Sequence, residues 1–281
     1  MKFSLWTHNG ALNSRPVFDA FSDSLVAAGH DVSYNNVDAD VNVIWSVLWN
    51  GRMARNEVVW NQDKPTVVLE VGGIKRGTTW KVGLNGINRD AYFGDYMGHD
   101  NNRSNLLALE VKPWRTAGEY ILICGQHDKS LQWKNMPRMS NWFLQTYDEI
   151  RKHTERPIIF RPHPRCRLEH IERGLKHVYR QEPQHVSGTY DDFDMQFNNI
   201  WATISHSSNP GIHSIISGVP SFVSNHSLAY PVANDIDFLH DIENPLMPDR
   251  QEWLNDYAYT EWTVEEISQG LPLKRLTDKL F

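Results

Sequence analysis

The sequence has little cysteine, no long apolar run and no strong excess of charge. Only Cys124 and Cys166 occur in 281 residues, which argues against a disulfide framework and against a zinc site. No apolar stretch approaches the roughly 18 residues of a membrane helix, and the first residues lack the apolar core of a signal peptide. The net charge of −6 argues against unselective binding of nucleic acid. We therefore expect a cytoplasmic protein that does not enter a membrane.

The common glycine-rich phosphate motifs are also missing. No GxxxxGK[ST] segment occurs, and the GGIKRG segment at residues 72–77 lacks the GxGxxG spacing. A P-loop nucleotidase is therefore not expected. If the protein binds phosphate, other residues must do so.

What the sequence does contain is a regular alternation of apolar, strand-like segments with amphipathic, helix-like segments. This alternation is typical of α/β proteins with parallel sheets. It begins at residues 3–7 and restarts at residues 120–124, after a plausible linker. We predict two Rossmann-like domains and a helical tail that packs back on them, at residues 1–117, 118–247 and 248–281 respectively.

The stretch from residue 70 to residue 90 is the richest in glycine, with five glycines from Gly72 to Gly86. So many special backbone conformations predict a long loop. Its basic and aromatic side chains suit DNA phosphates and a flipped base, although a solvated loop would look similar. The residues of this loop that we expect to contact such an acceptor molecule are Lys75, Arg76, Trp80, Lys81 and Arg89.

Two polar clusters follow predicted strands in the second domain. RPHPR (residues 161–165) follows the strand at residues 158–160, and SHSSNP (residues 205–210) follows the strand at residues 201–204. Arginine forks bind phosphate oxygens, and a helix start marked by proline offers backbone N–H groups. Either cluster alone would suit a stiffened loop or a helix cap, but together they predict an anion site. Its predicted residues are Arg161, His163, Arg165, Ser205, His206, Ser207, Ser208 and Asn209, with Gln126 and Lys129 as secondary candidates.

The order ILICGQHDKS, RPHPR, SHSSNPGIHSIISGVPSF resembles the donor half of GT-B glycosyltransferases. It is most similar to capsule-polysaccharide transferases, over roughly residues 119 to 224. The resemblance implies two Rossmann-like domains that face a cleft, and an enzyme that moves a sugar from a nucleotide-sugar co-substrate, expected to be a UDP-sugar, to a hydroxyl group. Where the family usually has a glutamate after the serines, this chain has His213, which we add to the donor-binding residues while the donor sugar stays open.

We expect no metal and no other cofactor. Three triplets spell the metal-binding DxD of another glycosyltransferase class, at residues 38–40, 192–194 and 235–237. Such triplets arise readily by chance. These three also do not end predicted strands, where a metal-diphosphate site would need them.

The first domain resembles phage-encoded proteins, and the whole chain resembles enzymes that glycosylate hydroxymethylated pyrimidines in phage DNA. This second resemblance implies double-stranded DNA with modified pyrimidines as the partner, in the cytoplasm of the host. Two alternatives stay open. One is a polysaccharide or lipid acceptor, and the other is a nucleotide-binding protein without catalysis.

A base that deprotonates the acceptor hydroxyl is expected in the first domain. Glu70 is the leading candidate because it ends a buried strand beside two glycines, where partial burial raises the pKa of a carboxylate. Asp19, Asp90 and His8 compete with it. Each of these carboxylates is more often structural than catalytic.

Overall fold

The computed structural model describes residues 1–48, 51–60, 62–95, 99–166, 168–189 and 192–280. Its strands are β1 (Lys2–Leu5), β2 (Asp31–Tyr34), β3 (Val41–Trp45), β4 (Thr66–Val71), β5 (Thr79–Leu84), β6 (Tyr120–Cys124), β7 (Ile158–Arg161), β8 (Val178–Arg180), β9 (Ile200–Ser205), β10 (Ser221–Val223), β11 (Asn234–Asp235) and β12 (Glu261–Thr263). Its helices are α1 (Arg15–Ala27), α2 (Arg55–Trp60), α3 (Asn102–Leu106), α4 (Met139–Ile150), α5 (Asn209–Ile216), α6 (Gln251–Tyr257), α7 (Val264–Ser268) and α8 (Leu271–Leu280). The predicted helix at residues 52–61 corresponds to α2, and its expected last residue, Asn61, lies outside the described residues.

The strands form two sheets, and the predicted α/β class is confirmed. The chain divides into two compact units. The first comprises residues 1–103, 189–191 and 255–281, and the second comprises residues 104–188 and 192–254. Within the described ranges, no helix is both long and apolar enough to cross a membrane.

The first unit is built on a sheet with the strand order β2-β1-β3-β4-β5-β12. The strands β1 to β4 run parallel, whereas β5 is antiparallel to β4 and β12 is antiparallel to β5. The apolar face of α1 packs on this sheet through Phe18, Phe21 and Leu25, which recur at helical spacing and are buried. The order reverses between β1 and β3, so the carboxyl ends of these two strands flank the crevice where such sheets bind ligands.

The glycine-rich stretch is not the long loop that the sequence predicts. Residues 79–84 form β5, a buried strand paired with β4. Three of the five glycines precede this strand, one lies within it and one follows it. Gly72 shows why: a Cβ atom there would lie 2.3 Å from both Glu261 Oε2 and the Thr79 carbonyl oxygen. Gly72 therefore allows close approach of the backbone and Glu261, whereas Gly77, with a φ of +80° and open space around it, supplies the left-handed conformation of the turn.

Glu261 is a fully buried carboxylate that holds this turn in place. It accepts hydrogen bonds from Gly73 N (2.6 Å), Ile74 N (3.0 Å), Thr79 Oγ1 (2.8 Å) and the Tyr257 hydroxyl (2.8 Å). Four donors satisfy the buried charge, which would otherwise be costly.

The second unit has the strand order β11-β10-β9-β6-β7-β8, with every neighbouring pair parallel. When the six strands are numbered 1 to 6 along the chain and read from β8 to β11, their order is 3-2-1-4-5-6, which is the order of the dinucleotide-binding fold. One face is covered by α4, whose Phe143 ring lies 4.1 Å from the ring of Phe160 in β7. The switch point of this sheet lies between β6 and β9.

The predicted helical tail from residue 248 is only partly helical. It contains α6, then β12, then α7 and α8. The strand appears because residues 261–263 pair with β5 and extend the first sheet, a long-range pairing that local helical spacing does not reveal. Thr263 ends the strand and begins α7 with a capping box, since its hydroxyl accepts from Glu266 N.

Candidate functional site

The three polar segments of the second unit follow three neighbouring strands. β6 lies between β7 and β9, with Cys124 opposite Arg161 and Ile123 opposite Ile204. Because the strands are parallel, the segments that follow their carboxyl ends lie at one edge of the sheet. The edge includes the switch point between β6 and β9, the position at which open α/β sheets bind ligands.

Gln126 links the segment after β6 to the segment after β9. Its side chain is buried, and its Oε1 atom accepts hydrogen bonds from Ser207 N (3.0 Å) and Ser207 Oγ (3.1 Å). Its Nε2 atom donates to Ser130 Oγ at 3.2 Å. Gln126 and Ser207 therefore set the spacing between the two strand ends at the switch point.

Two histidine rings lie together beside this link. His163 Nδ1 accepts from Arg165 N at 3.1 Å, and His127 Nδ1 accepts from Lys129 N at 3.0 Å. The two ring centroids are 5.0 Å apart. An imidazole whose Nδ1 accepts a hydrogen bond carries its proton on Nε2 when it is neutral, so each ring has an Nε2–H donor.

Gly125 permits this approach of the two loops, since a Cβ atom there would lie 3.1 Å from His163 N. His127 was missed in the sequence prediction, which chose the flanking Gln126 and Lys129. The available signal was its position directly after Gln126, in a segment that follows a buried strand.

Arg161 does not present the open guanidinium fork that the sequence predicts. It is the last residue of β7 and is 7% exposed. Its Nε and Nη2 atoms donate to Gln181 Oε1 at 3.0 and 2.6 Å, and Nη2 also donates to the Gln196 carbonyl at 2.9 Å. Among the residues that the structure describes, its buried Nη1 atom has no hydrogen-bond partner. Most of the guanidinium is therefore committed to neighbouring segments, and only Nη1 is left for a ligand.

The first turn of α5 follows β9, with Ser208 as the N-cap, Asn209 as the first helical residue and Pro210 next. The Ser208 hydroxyl is buried and makes no hydrogen bond within the described part of the chain. Such a helix start presents backbone N–H groups and a positive dipole end. His213 lies later in α5 and is half-buried.

Ser205 and the two exposed cations complete the predicted set. Ser205 is the fully buried last residue of β9, and a Cβ atom on Gly211 would lie 2.8 Å from its Oγ atom. Like the Ser208 hydroxyl, this Oγ atom has no hydrogen-bond partner among the described residues, and Ser205 stays a predicted residue of the anion site. Lys129 and Arg165 are exposed, on the segments after β6 and β7.

His206 is buried between aromatic side chains. Its ring centroid lies 5.3 Å from that of Trp133 and 5.6 Å from that of His226. Burial, and then the neighbouring His226, lower the pKa of His206 to about 4. His206 is therefore neutral at pH 7 and adds no positive charge to the predicted anion site.

The four predicted bases of the first unit have different surroundings. His8 is exposed in the short turn Thr7–Asn9 after β1, beside the β1–β3 switch point, and its backbone N donates to Asn35 Oδ1 at 3.1 Å. Glu70 lies one strand beyond the switch point, in β4, and its Oε1 atom accepts from Val71 N at 2.7 Å.

The two aspartates have local structural roles. Asp19 forms an ion pair with Arg15 one turn earlier in α1, at 2.9 Å. Asp90 accepts from the backbone of Ile87 (3.3 Å) and Asn88 (2.9 Å), which closes the turn after β5. Neither contact requires a ligand.

The predicted partner-contacting residues separate into two groups. Trp80 and Lys81 lie in β5 and are only 7% and 4% exposed, so they do not present the open basic and aromatic surface that a loop would have presented. Burial lowers the pKa of Lys81, against the opposing effect of Glu261 and Glu70. Lys75, Arg76 and Arg89 lie outside the strands and remain exposed or half-buried.

No group of three or more histidine, cysteine, aspartate or glutamate side chains that would hold a metal ion occurs among the described residues.

Comparisons with known proteins agree with this architecture. Searches of protein-family models and of curated proteins give no match. Among the solved structures that match are two from KpsC of Thermosulfurimonas dismutans, each over nearly the whole chain. The beta Kdo 2,7 transferase matches with a TM-score of 0.55 and 15% identity, over 98% of this chain and all of that one. The beta Kdo 2,4 transferase matches with a TM-score of 0.51 and 11% identity, over 97% of this chain and 98% of that one. At these identities the likeness shows a shared fold.

Proposed function

We propose that this protein is a glycosyltransferase that moves a sugar from a nucleotide-sugar donor to a hydroxyl group. The observation that carries the proposal is the link between Gln126 and Ser207, which holds the polar segments after β6 and β9 together at a topological switch point. The fold supports it, because two solved structures that share it are named as Kdo transferases.

The donor's phosphate would bind at the edge of the second sheet. The hydrogen-bond donors held in place there are the Nε2–H groups of His127 and His163, the Ser208 hydroxyl and the backbone N–H groups in the first turn of α5, with Arg161 Nη1 behind them. Charge develops on the phosphate as the sugar leaves. Donors already held in place stabilise that charge without reorganisation, which is usually the largest contribution to catalysis.

The base that activates the acceptor hydroxyl is proposed to be His8. It is the candidate beside the switch point of the first sheet, and histidine is the commonest general base. Glu70 is the second candidate, since its half-buried carboxylate lies one strand away. Asp19 and Asp90 are less suited because each already serves a local contact.

A glycan hydroxyl is the acceptor that we favour. The DNA alternative depended on an open loop of basic and aromatic residues, and Trp80 and Lys81 are instead buried in β5. Hydroxymethylated pyrimidines in DNA remain the competing acceptor. The two can be separated in one assay.

The test has a binding arm and a transfer arm. Calorimetry with nucleoside mono- and diphosphates should show binding that His163→Ala weakens by about tenfold or more, because it loses a phosphate donor. His170→Ala is the matched control, since that imidazole is half-exposed and pairs with Glu172. Nucleotide affinity that is the same in both variants would remove the assigned donor site.

In the transfer arm, a panel of nucleotide sugars that includes an activated Kdo is incubated with oligosaccharide acceptors and with hydroxymethylated DNA. Products are then weighed by mass spectrometry. A mass increment on glycan supports the favoured acceptor, and an increment on DNA supports its competitor. No increment with any pairing would overturn the proposed activity.

A further inference from the structure

A separate cavity lies within the second unit, on the face covered by α4. Its volume is about 410 Å³, which falls within the range of about 300–1,000 Å³ typical of small-molecule sites. It is bounded by α4 on one side and by the residues that follow β9, β10 and β11 on the other. Of the residues predicted for the anion site, His206 lines this cavity, and the groups proposed above to bind phosphate do not.

The walls of the cavity combine three kinds of chemistry. Trp142, Met136, Pro137, Ile236 and Leu239 are apolar. Amides and hydroxyls come from Gln145, Asn225, Thr146 and Ser224, and carboxylates from Glu149, Asp235 and Asp237. No lysine or arginine is among the residues that line this cavity.

The carboxylates decide which charge can enter. Asp235 is fixed in place, because Oδ2 accepts from the Tyr230 hydroxyl (2.8 Å) and Oδ1 accepts from Asp237 N (3.0 Å). Glu149, in the last turn of α4, is paired with Lys152 and His153, which follow the helix, and this pairing offsets its charge locally. The remaining negative charge disfavours phosphates and acidic sugars.

His206 supplies the polar atom that points to a ligand. It lines the cavity, is 6% exposed, and in the described part of the molecule its buried Nε2 atom has no hydrogen-bond partner. A buried polar atom without a partner is costly, and a ligand hydroxyl in the cavity would satisfy it after a small turn of the ring toward the cavity.

From these observations we propose that the cavity binds an uncharged sugar unit. Sugar hydroxyls both donate and accept, which matches a wall of amides, hydroxyls, a carboxylate and a neutral imidazole, whereas a simple cation would need acceptors alone. The C–H faces of a sugar ring fit the apolar wall around Trp142. His206 directly precedes Ser207, so this sugar site adjoins the proposed phosphate site but has the opposite charge preference.

The proposal is tested by NMR titration of the full chain at pH 7, with ¹⁵N-labelled histidine. Methyl β-glucoside and methyl β-galactoside are the neutral probes, and glucuronate is the matched anionic probe. At least one neutral probe should shift the His206 Nε2 resonance saturably, and glucuronate should bind at least about tenfold more weakly. The absence of a saturable shift with both neutral probes, or equal binding of glucuronate, would overturn the proposal.

Variants of exposed wall residues locate the binding. Gln145→Ala and Asn225→Ala should each weaken binding about fivefold, as expected for one neutral hydrogen bond. Asn141→Ala is the control, because it removes an exposed amide from the same helix outside the cavity wall. Unchanged affinity in both wall variants would place the sugar elsewhere. If the unsubstituted protein binds nucleotide but neither neutral sugar, this inference is refuted and the proposed function is left standing.

Discussion

The link between Gln126 and Ser207 gives the sharpest prediction. Gln126→Ala removes the acceptor for Ser207 N and Oγ and the donor to Ser130. Each neutral hydrogen bond contributes about 1 kcal/mol, and a buried donor left without an acceptor costs about 1–3 kcal/mol. We expect the second unit to lose roughly 3–5 kcal/mol of unfolding free energy, measured as a lower midpoint in chemical denaturation.

A second variant, Gln126→Glu, distinguishes an effect on the stability of the second unit from an effect on the binding of the nucleotide sugar. The carboxylate still accepts from both Ser207 donors, but its burial adds a desolvation cost of several kcal/mol, so the loss of stability should be about as large as in Gln126→Ala. It also places a negative charge beside the proposed phosphate site. At about 6 Å and an effective dielectric constant near 20, two unit charges repel by about 3 kcal/mol, which corresponds to about 100-fold in affinity.

Calorimetry with a nucleoside diphosphate measures this effect. Gln184→Glu is the matched control, since it adds the same charge at an exposed position of the same unit. If Gln126→Glu binds the nucleotide as tightly as Gln184→Glu does, the phosphate site does not lie at this switch point and the reasoning is refuted.

Three further predictions concern other parts of the molecule. The pKa of His206 is about 4 in the folded protein and about 6.5 in the unfolded chain, so the unfolded chain binds more protons between these two pH values. The free energy of unfolding should therefore rise with pH from about 4 to about 6.5 and level off above this range. In denaturation experiments at a series of pH values, His206→Gln should make this rise smaller. Gly72→Ala should destabilise the first unit by about 3 kcal/mol or more through overpacking, whereas Gly174→Ala, with open space around it, should leave the melting temperature unchanged. His8→Gln should lower kcat by about 100-fold or more, and Asp19→Asn should stay within about twofold; equal kcat values would exclude His8 as the base.

Much of the fold follows from local patterns in the sequence. Apolar runs followed by turn residues predict most of the strands, and the spacing of Phe18, Phe21 and Leu25 predicts α1. The same local rules place both polar clusters after strands. Each of these features depends on neighbours only a few residues away.

The features that the sequence does not predict depend on contacts between residues that are distant in the sequence. Trp80 and Lys81 looked exposed because the glycines around them suggest a loop, and only the pairing of β5 with β4 and β12 buries them. Arg161 looked available to phosphate because its partners, Gln181 and Gln196, lie beyond the motif that contains it. No periodicity in the sequence signals such pairings.

The pairing of β12 with β5 also has a consequence for synthesis. β12 follows its partner by roughly 180 residues, so all of residues 104–254 leave the ribosome before it does. At a synthesis rate of about 5–20 residues per second, about ten seconds or more pass between the synthesis of β5 and that of β12. During this time the edge of β5 lacks its partner strand and the Gly73 amide lacks Glu261. An unpaired strand edge invites pairing with other chains. The first unit is thus completed only after the second has been synthesised, and a nascent chain released before Glu261 would carry an open sheet edge.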